Sequence, residues 1–103
     1  MDTFQQIVKT IESEQDANIR RTQKVTLYST LKYLQAGRTG ISKFDMDNFL
    51  TGNRFLPIFQ ELLHHSIVIQ NANSNYILND NVKDLLPSFL QELDQQRQTF
   101  SGL

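Results

Sequence analysis

Apolar side chains recur at steps of three and four residues through most of the chain, a spacing that predicts amphipathic helices. The segment "DTFQQIVKTIESE" predicts an N-terminal helix within residues 1–19. A second stripe runs through "TQKVTLYSTLKYLQAG", with Gly37 as the expected stop. The third, "DNVKDLLPSFLQELDQQRQ", predicts one C-terminal helix over 81–99, with Asp80 or Asn81 as its cap. Pro87 is expected on an exposed face of that helix or at a kink.

The segment "KFDMDNFLTGNRFLPIFQELLHHS" predicts two shorter helices separated by the break "TGN". Ser42 or Asp45 can cap the first, and Asn53 suits the cap of the second, over residues 54–65. Pro57 would be the fourth helical residue, where its missing N–H removes no intrahelical bond. The side chains predicted to face inward from the second helix are apolar: Phe55, Phe59, Leu62 and Leu63. The pair has the size of a helix-turn-helix.

The pattern changes between residues 66 and 80. Two β-prone runs, 67–69 and 76–78, flank "QNANSN", whose residues tolerate left-handed and turn conformations. This predicts a β-hairpin directly after the helix pair, and "RTGIS" before the pair predicts a turn with one β-bridge. The expected fold class is therefore mainly α with one β-hairpin.

This order of elements resembles the winged helix-turn-helix superfamily over residues 22–80. The resemblance is carried by "YSTLKYLQAG", by "DMDNFLTGNRFLPIFQELLHHS" and by "IVIQNANSNYILND". It implies a single domain over 1–103, with a winged-helix core at 22–80 and amphipathic helices on both sides. It also implies that residues 54–65 form a recognition helix and that the hairpin is the wing.

If the resemblance extends to function, the recognition helix would enter the major groove of DNA. Asparagine and glutamine amides can then bond adenine, and arginine can bond guanine or a phosphate. Asn73, in the wing, has a simpler alternative role as a plain turn residue. The outward residues of the helix would be Asn53, Arg54, Pro57, Gln60, Glu61 and His64. The expected DNA-binding set is Arg20, Arg21, Lys24, Thr39, Lys43, Asn53, Arg54, Gln60, His64 and Asn73.

Charge is segregated along the chain. Residues 20–54 hold seven basic and two acidic residues, a balance of +5, whereas residues 1–19 and 55–103 each balance at −3. The basic middle favours nucleic acid as the partner. A second hypothesis, favoured by the acidic ends and a pI near 6.0, is a protein-interaction module without DNA binding. It would dock through residues 55–63, with Glu61 and the uncharged wing contributing.

The two terminal stripes suggest a homodimer, since helices crossing a two-fold axis would bury them and space two recognition helices about 34 Å apart. The alternative is that both helices cover the core of their own chain. The residues expected in the dimer interface are Phe4, Ile7, Ile11, Leu86, Phe89, Leu90 and Leu93.

Composition excludes several other classes of protein. A chain of 103 residues can build one core without a metal or disulfide staple. The absence of cysteine excludes thiolate chemistry and makes the cytoplasm the expected compartment. No apolar run approaches the roughly 20 residues that span a membrane. His64 and His65 are adjacent, so they would point about 100° apart on a helix and could not share a metal by themselves. No glycine-rich phosphate loop or serine nucleophile motif occurs.

We therefore expect a non-enzymatic protein without cofactor or metal. The leading hypothesis is a sequence-specific double-stranded DNA-binding protein, acting as a homodimer in transcription regulation or in plasmid or phage replication and partition.

Overall fold

The computed structural model describes residues 3–37, 39–49 and 56–101, with side chains described up to residue 95 except that of Leu56. The predicted contacts of Asn53 and Arg54, the inward position of Phe55 and the break "TGN" lie outside the described residues. The elements run α1 Thr3–Glu12, α2 Ala17–Ala36, α3 Lys43–Phe49, α4 Leu56–His64, β1 Val68–Gln70, β2 Tyr76–Leu78, α5 Asp80–Lys83 and α6 Leu86–Ser101. The predicted class, mainly α with one β-hairpin, is confirmed.

The long helix α2 begins five residues earlier than the start of the predicted segment at Thr22. Asp16 provides the reason, because its side chain accepts the N–H groups of Asn18 and Ile19 and so caps the helix. The end at Gly37 is as predicted, and the Gly37 N–H donates to the Tyr33 carbonyl at 3.1 Å. The cap therefore adds more than one turn to α2 on the side that meets α1.

The C-terminal segment is two helices, so the prediction of one continuous helix over 81–99 is wrong. The first, α5, is capped by Asn79, whose side chain accepts the Asn81 N–H at 3.1 Å. The chain then leaves helical geometry at residues 84–85, and Pro87 is the exposed second residue of α6. A proline ring clashes with the carbonyl four residues before it, here that of Lys83, so a continuous helix is disfavoured. Pro87 is instead tolerated in the first turn of a new helix.

The hairpin is attached to the connection between α2 and α3. Strands β1 and β2 are antiparallel, with Val68 opposite Leu78 and Gln70 opposite Tyr76. Ile41, in the segment predicted to form one β-bridge, pairs with Tyr76, with N···O distances of 2.9 and 2.7 Å. The bridge fixes the hairpin beside the start of α3.

Helix α4 passes into β1 through a tight left-handed turn. Ser66 has φ 59°. Its N–H donates to the Leu63 carbonyl at 3.1 Å, and the Ile67 N–H donates to the Leu62 carbonyl at 3.0 Å. This pair of bonds is the Schellman motif, and the buried side chains of Ile67 and Leu62 accompany it.

Both terminal helices pack on α2 of the same chain. The rings of Phe4 and Phe89 are stacked, with centroids 4.5 Å apart and planes 19° from parallel. All seven side chains predicted for the dimer interface, Phe4, Ile7, Ile11, Leu86, Phe89, Leu90 and Leu93, are at most 7% exposed. They form part of one core within the chain, which is the alternative given for both helices, and in this structure they are covered without a second copy. The homodimer itself stays a prediction. Burying an apolar side chain is worth about 1.5–3 kcal/mol, and the chain gains this without a second copy.

Replacing Ser66 with glycine should stabilise the fold. Glycine adopts positive φ without the steric cost that serine carries, so Ser66→Gly should raise the free energy of unfolding by about 0.5–1 kcal/mol. Ser88→Gly, at an exposed helical position in α6, is the matched control and should lower it by a similar amount. Urea unfolding followed by circular dichroism measures both. A loss of stability in Ser66→Gly would contradict the left-handed turn.

Candidate functional site

Helix α4, the candidate recognition helix, presents a polar face to solvent. Ile58, Phe59 and Leu62 are buried, whereas Gln60 and His64 are exposed. Gln60 and His64 are four residues apart and therefore lie on one face, opposite the buried side. The structure thus brings these two predicted residues together on an accessible surface.

The prediction that Leu63 faces inward is wrong, because Leu63 is 38% exposed. Ile58 is buried on the inward side of α4 instead. One step along a helix turns a side chain by about 100°, so Leu63 flanks the polar face while Leu62 fills the core. Ile69, at the centre of β1, is exposed to a similar degree, at 37%. Phe44 at the start of α3 is more exposed still, at 73%.

The other flank of α4 faces α1 across a groove of about 310 Å³. Pro57 and Glu61, both predicted to point outward to DNA, belong to this groove. The described residues that line it are Ile7, Thr10, Ile11, Ser13, Glu14, Gln23, Pro57, Ile58 and Glu61. The three isoleucines are buried and form an apolar floor, and the two glutamates are partly exposed at its rim.

Hydrogen bonds fix the groove's polar side chains. The Glu14 Oε1 accepts the Asp16 N–H at 3.2 Å, and the Glu61 Oε2 lies 3.3 Å from His65 Nε2. The Ser13 hydroxyl donates to the Thr10 carbonyl at 2.6 Å. Residues 13–16 are therefore folded tightly at the end of α1, with the Glu14 carboxylate held across from α4.

The basic residues near the start of α2, which are predicted to bind phosphates, lie in three different environments, and their phosphate binding stays a prediction. Arg20 donates through Nη1 to the Glu14 carbonyl. The Lys24 side chain is only 12% exposed, and its Nζ lies 3.2 Å from Glu12 Oε1. Arg21 is exposed, but it is two residues before Gln23, which faces α4, and so lies about 200° around the helix from it. Arg20 and Lys24 therefore bond within the fold, whereas Arg21 lies on the side of α2 that points away from α4.

Thr39 and Lys43 are exposed on either side of the Ile41 bridge, next to the hairpin. Lys43 is the first residue of α3, which Ser42 caps by accepting the Asp45 N–H at 3.1 Å. Asp45 and Asp47 are exposed on the same short helix. The charge of Lys43 is therefore opposed by two carboxylates on the same helix.

The hairpin turn, which the resemblance predicts to be the wing, is closed by the Asn71 side chain. The Asn71 Oδ1 accepts the N–H groups of Asn73 and Asn75, at 2.9 and 3.1 Å, and Ser74 has φ 65°. Asn73 is exposed within this turn, where its backbone N–H contributes to the closure. This geometry accounts for Asn73 as a turn residue, the alternative given for it from the sequence.

The remaining chemistry of the described residues is sparse. Within residues 3–37, 39–49 and 56–101 no cluster of three or more His, Asp or Glu side chains is arranged to hold a metal ion. The rings of His64 and His65 are 5.1 Å apart, edge to face. Over the same part of the chain, no helix has the length and apolar character needed to cross a membrane.

Comparison with protein-family models, with curated proteins and with solved structures found no match to this chain.

The α1–α4 groove is the feature that sequence reasoning missed. Periodicity indicates that Ile7 and Ile11 share a face, and Glu14 follows about one turn later. It does not indicate which helix that face will meet. The signal available in the sequence is the acidic end of α1, where Glu12, Glu14 and Asp16 follow the apolar stripe.

Removing the side-chain acceptor of Asn71 should destabilise the hairpin turn. Asn71→Ala deletes the acceptor of two backbone hydrogen bonds and should lower the free energy of unfolding by about 1–2 kcal/mol. Asn71→Asp keeps an acceptor oxygen and should retain most of the stability, and Asn73→Ala is the exposed control. Thermal unfolding of the three variants gives the comparison. Equal stability in Asn71→Ala and the unmodified chain would contradict the turn geometry.

Proposed function

We propose that this chain is a protein-interaction module whose partner docks on α4 and on the groove beside it. The observation that carries the proposal is the environment of α4. Its exposed face has Gln60 and His64, and across the groove its flank faces the acidic end of α1, where Glu14 lies.

Electrostatics favours a protein over duplex DNA on this surface. Duplex DNA carries one negative charge per about 1.7 Å of its axis, and lysine and arginine supply most of the affinity of DNA-binding proteins. Residues 56–78, which form α4 and the hairpin, contain neither. The described residues of α3, α4 and the hairpin include one lysine, Lys43, and three acidic residues, Asp45, Asp47 and Glu61.

Steric access favours the same conclusion. The major groove is about 12 Å wide, and a helix with its side chains is about 10–12 Å across. The α4 flank that holds Pro57 and Glu61 lines a groove of about 310 Å³ together with α1. That flank is therefore less accessible to a duplex than the exposed face with Gln60 and His64.

The exposed surface of α4 suits a protein partner. Interfaces between proteins are depleted in charged residues at their centre and mix apolar with hydrogen-bonding side chains. Gln60 and His64 provide the hydrogen-bonding groups, and the half-exposed Leu63 provides apolar area beside them. The DNA hypothesis stays a prediction, since Asn53 and Arg54 lie outside the described residues, and it becomes one outcome of the test.

Two measurements on the full chain test the proposal. A photo-crosslinking amino acid at Gln60 should form an adduct with a protein in the source cells, and Leu63→Asp should abolish that adduct. The same amino acid at Ser88, exposed on α6, should form none. Anisotropy of a fluorescent 30-base-pair duplex should not change with up to about 100 μM protein at low salt, a range that includes ordinary non-specific binding. Saturable duplex binding that weakens steeply with salt would contradict the proposal.

A further inference from the structure

We propose that the groove between α1 and α4 binds an arginine- or lysine-bearing segment of the partner, with aliphatic residues beside the cation. This inference rests on the proposed function and names the chemistry of the partner at that same site. Its basis is an apolar floor below two carboxylates.

The floor is shaped for an aliphatic stem. Ile7 and Ile11 of α1 and Ile58 of α4 are all buried, so the base of the groove is apolar and held by two helices. Arginine and lysine place their methylene stems along such surfaces while the charged head stays at the edge. A floor of this kind offers little to an anionic or purely polar segment.

The rim supplies the complementary charge. Glu14 and Glu61 are acidic, and the described residues that line the groove include no lysine or arginine. Each carboxylate offers about four acceptor positions. Glu14 Oε1 accepts one bond, from the Asp16 N–H, and Glu61 Oε2 faces His65. The nearby Arg20 guanidinium is bound to the Glu14 carbonyl on the main chain, and the carboxylates remain available to a guanidinium or ammonium group.

The size of the groove indicates a side chain of a larger molecule. Sites that enclose small ligands have volumes of about 300–1,000 Å³, and this groove lies at the lower end, at about 310 Å³. One long side chain with an aliphatic neighbour fits that space. The exposed polar face of α4, with Gln60 and His64, adjoins the Pro57–Glu61 flank and continues the contact surface.

A phage-displayed library of random 12-residue peptides, selected on the full chain, tests the inference. The enriched peptides should pair arginine or lysine with leucine, isoleucine or valine. In NMR titrations the strongest peptide should shift the methyl signals of Ile7, Ile11 and Ile58. Replacing its arginine with citrulline, which keeps the shape and removes the charge, should weaken binding about tenfold.

Matched variants locate the effect. Glu14→Gln with Glu61→Gln removes two charges from the rim and should weaken binding about tenfold. Asp84→Asn with Glu92→Gln removes two exposed carboxylates outside the groove and should change binding less than twofold. Circular dichroism checks that both double variants are folded.

Two outcomes would overturn the inference. Enriched peptides that lack a cation, or that bind the rim variant as well as the unmodified chain, would place the binding surface elsewhere and leave the proposed function standing. A selection without any enriched peptide would remove the groove as a peptide site, and the proposed function would then be judged by the Gln60 adduct alone.

Discussion

The stacked rings of Phe4 and Phe89 bring α1 and the first turn of α6 together against α2. Helix α2 has buried residues on a broad side, and α1, α4 and α6 all pack on it. Phe4 of α1 packs on Phe89 of α6, and the other end of α1 lines a groove together with α4. The position of Glu14, and with it the groove, follows from this packing.

The same packing changes what the basic residues do. A cation that bonds inside the fold contributes to local structure, and its capacity for phosphate is reduced. Arg20 closes the connection between α1 and α2, and Lys24 pairs with Glu12 across the two helices. The basic residues of 20–54 are close together in the sequence. In the structure, however, the described ones do not cluster on the α4 surface. The described surface of α4 is therefore of mixed polar and apolar character.

Local rules predicted much of the fold, because they act over a few residues. The end of α2 at Gly37, the cap at Ser42, the hairpin and the Ile41 bridge all follow from turn chemistry and periodicity. The errors arose where distant parts of the chain meet. The apolar helix face with Ile7 and Ile11 has the same sequence pattern whether it packs on its own chain or on a second copy. Only the tertiary structure distinguishes the two arrangements. Pro87 is similarly ambiguous in the sequence, because proline is compatible both with a kink in one helix and with the first turn of a new helix.

The contact between Phe4 and Phe89 can be measured directly by NMR. With ring centroids 4.5 Å apart, we expect strong nuclear Overhauser effects between the two rings in uniformly labelled protein. An isotope-filtered experiment on mixed labelled and unlabelled copies should not show them, because the contact lies within one chain. Ring contacts found only between copies, or in neither sample, would show that α1 and α6 do not pack together within one chain.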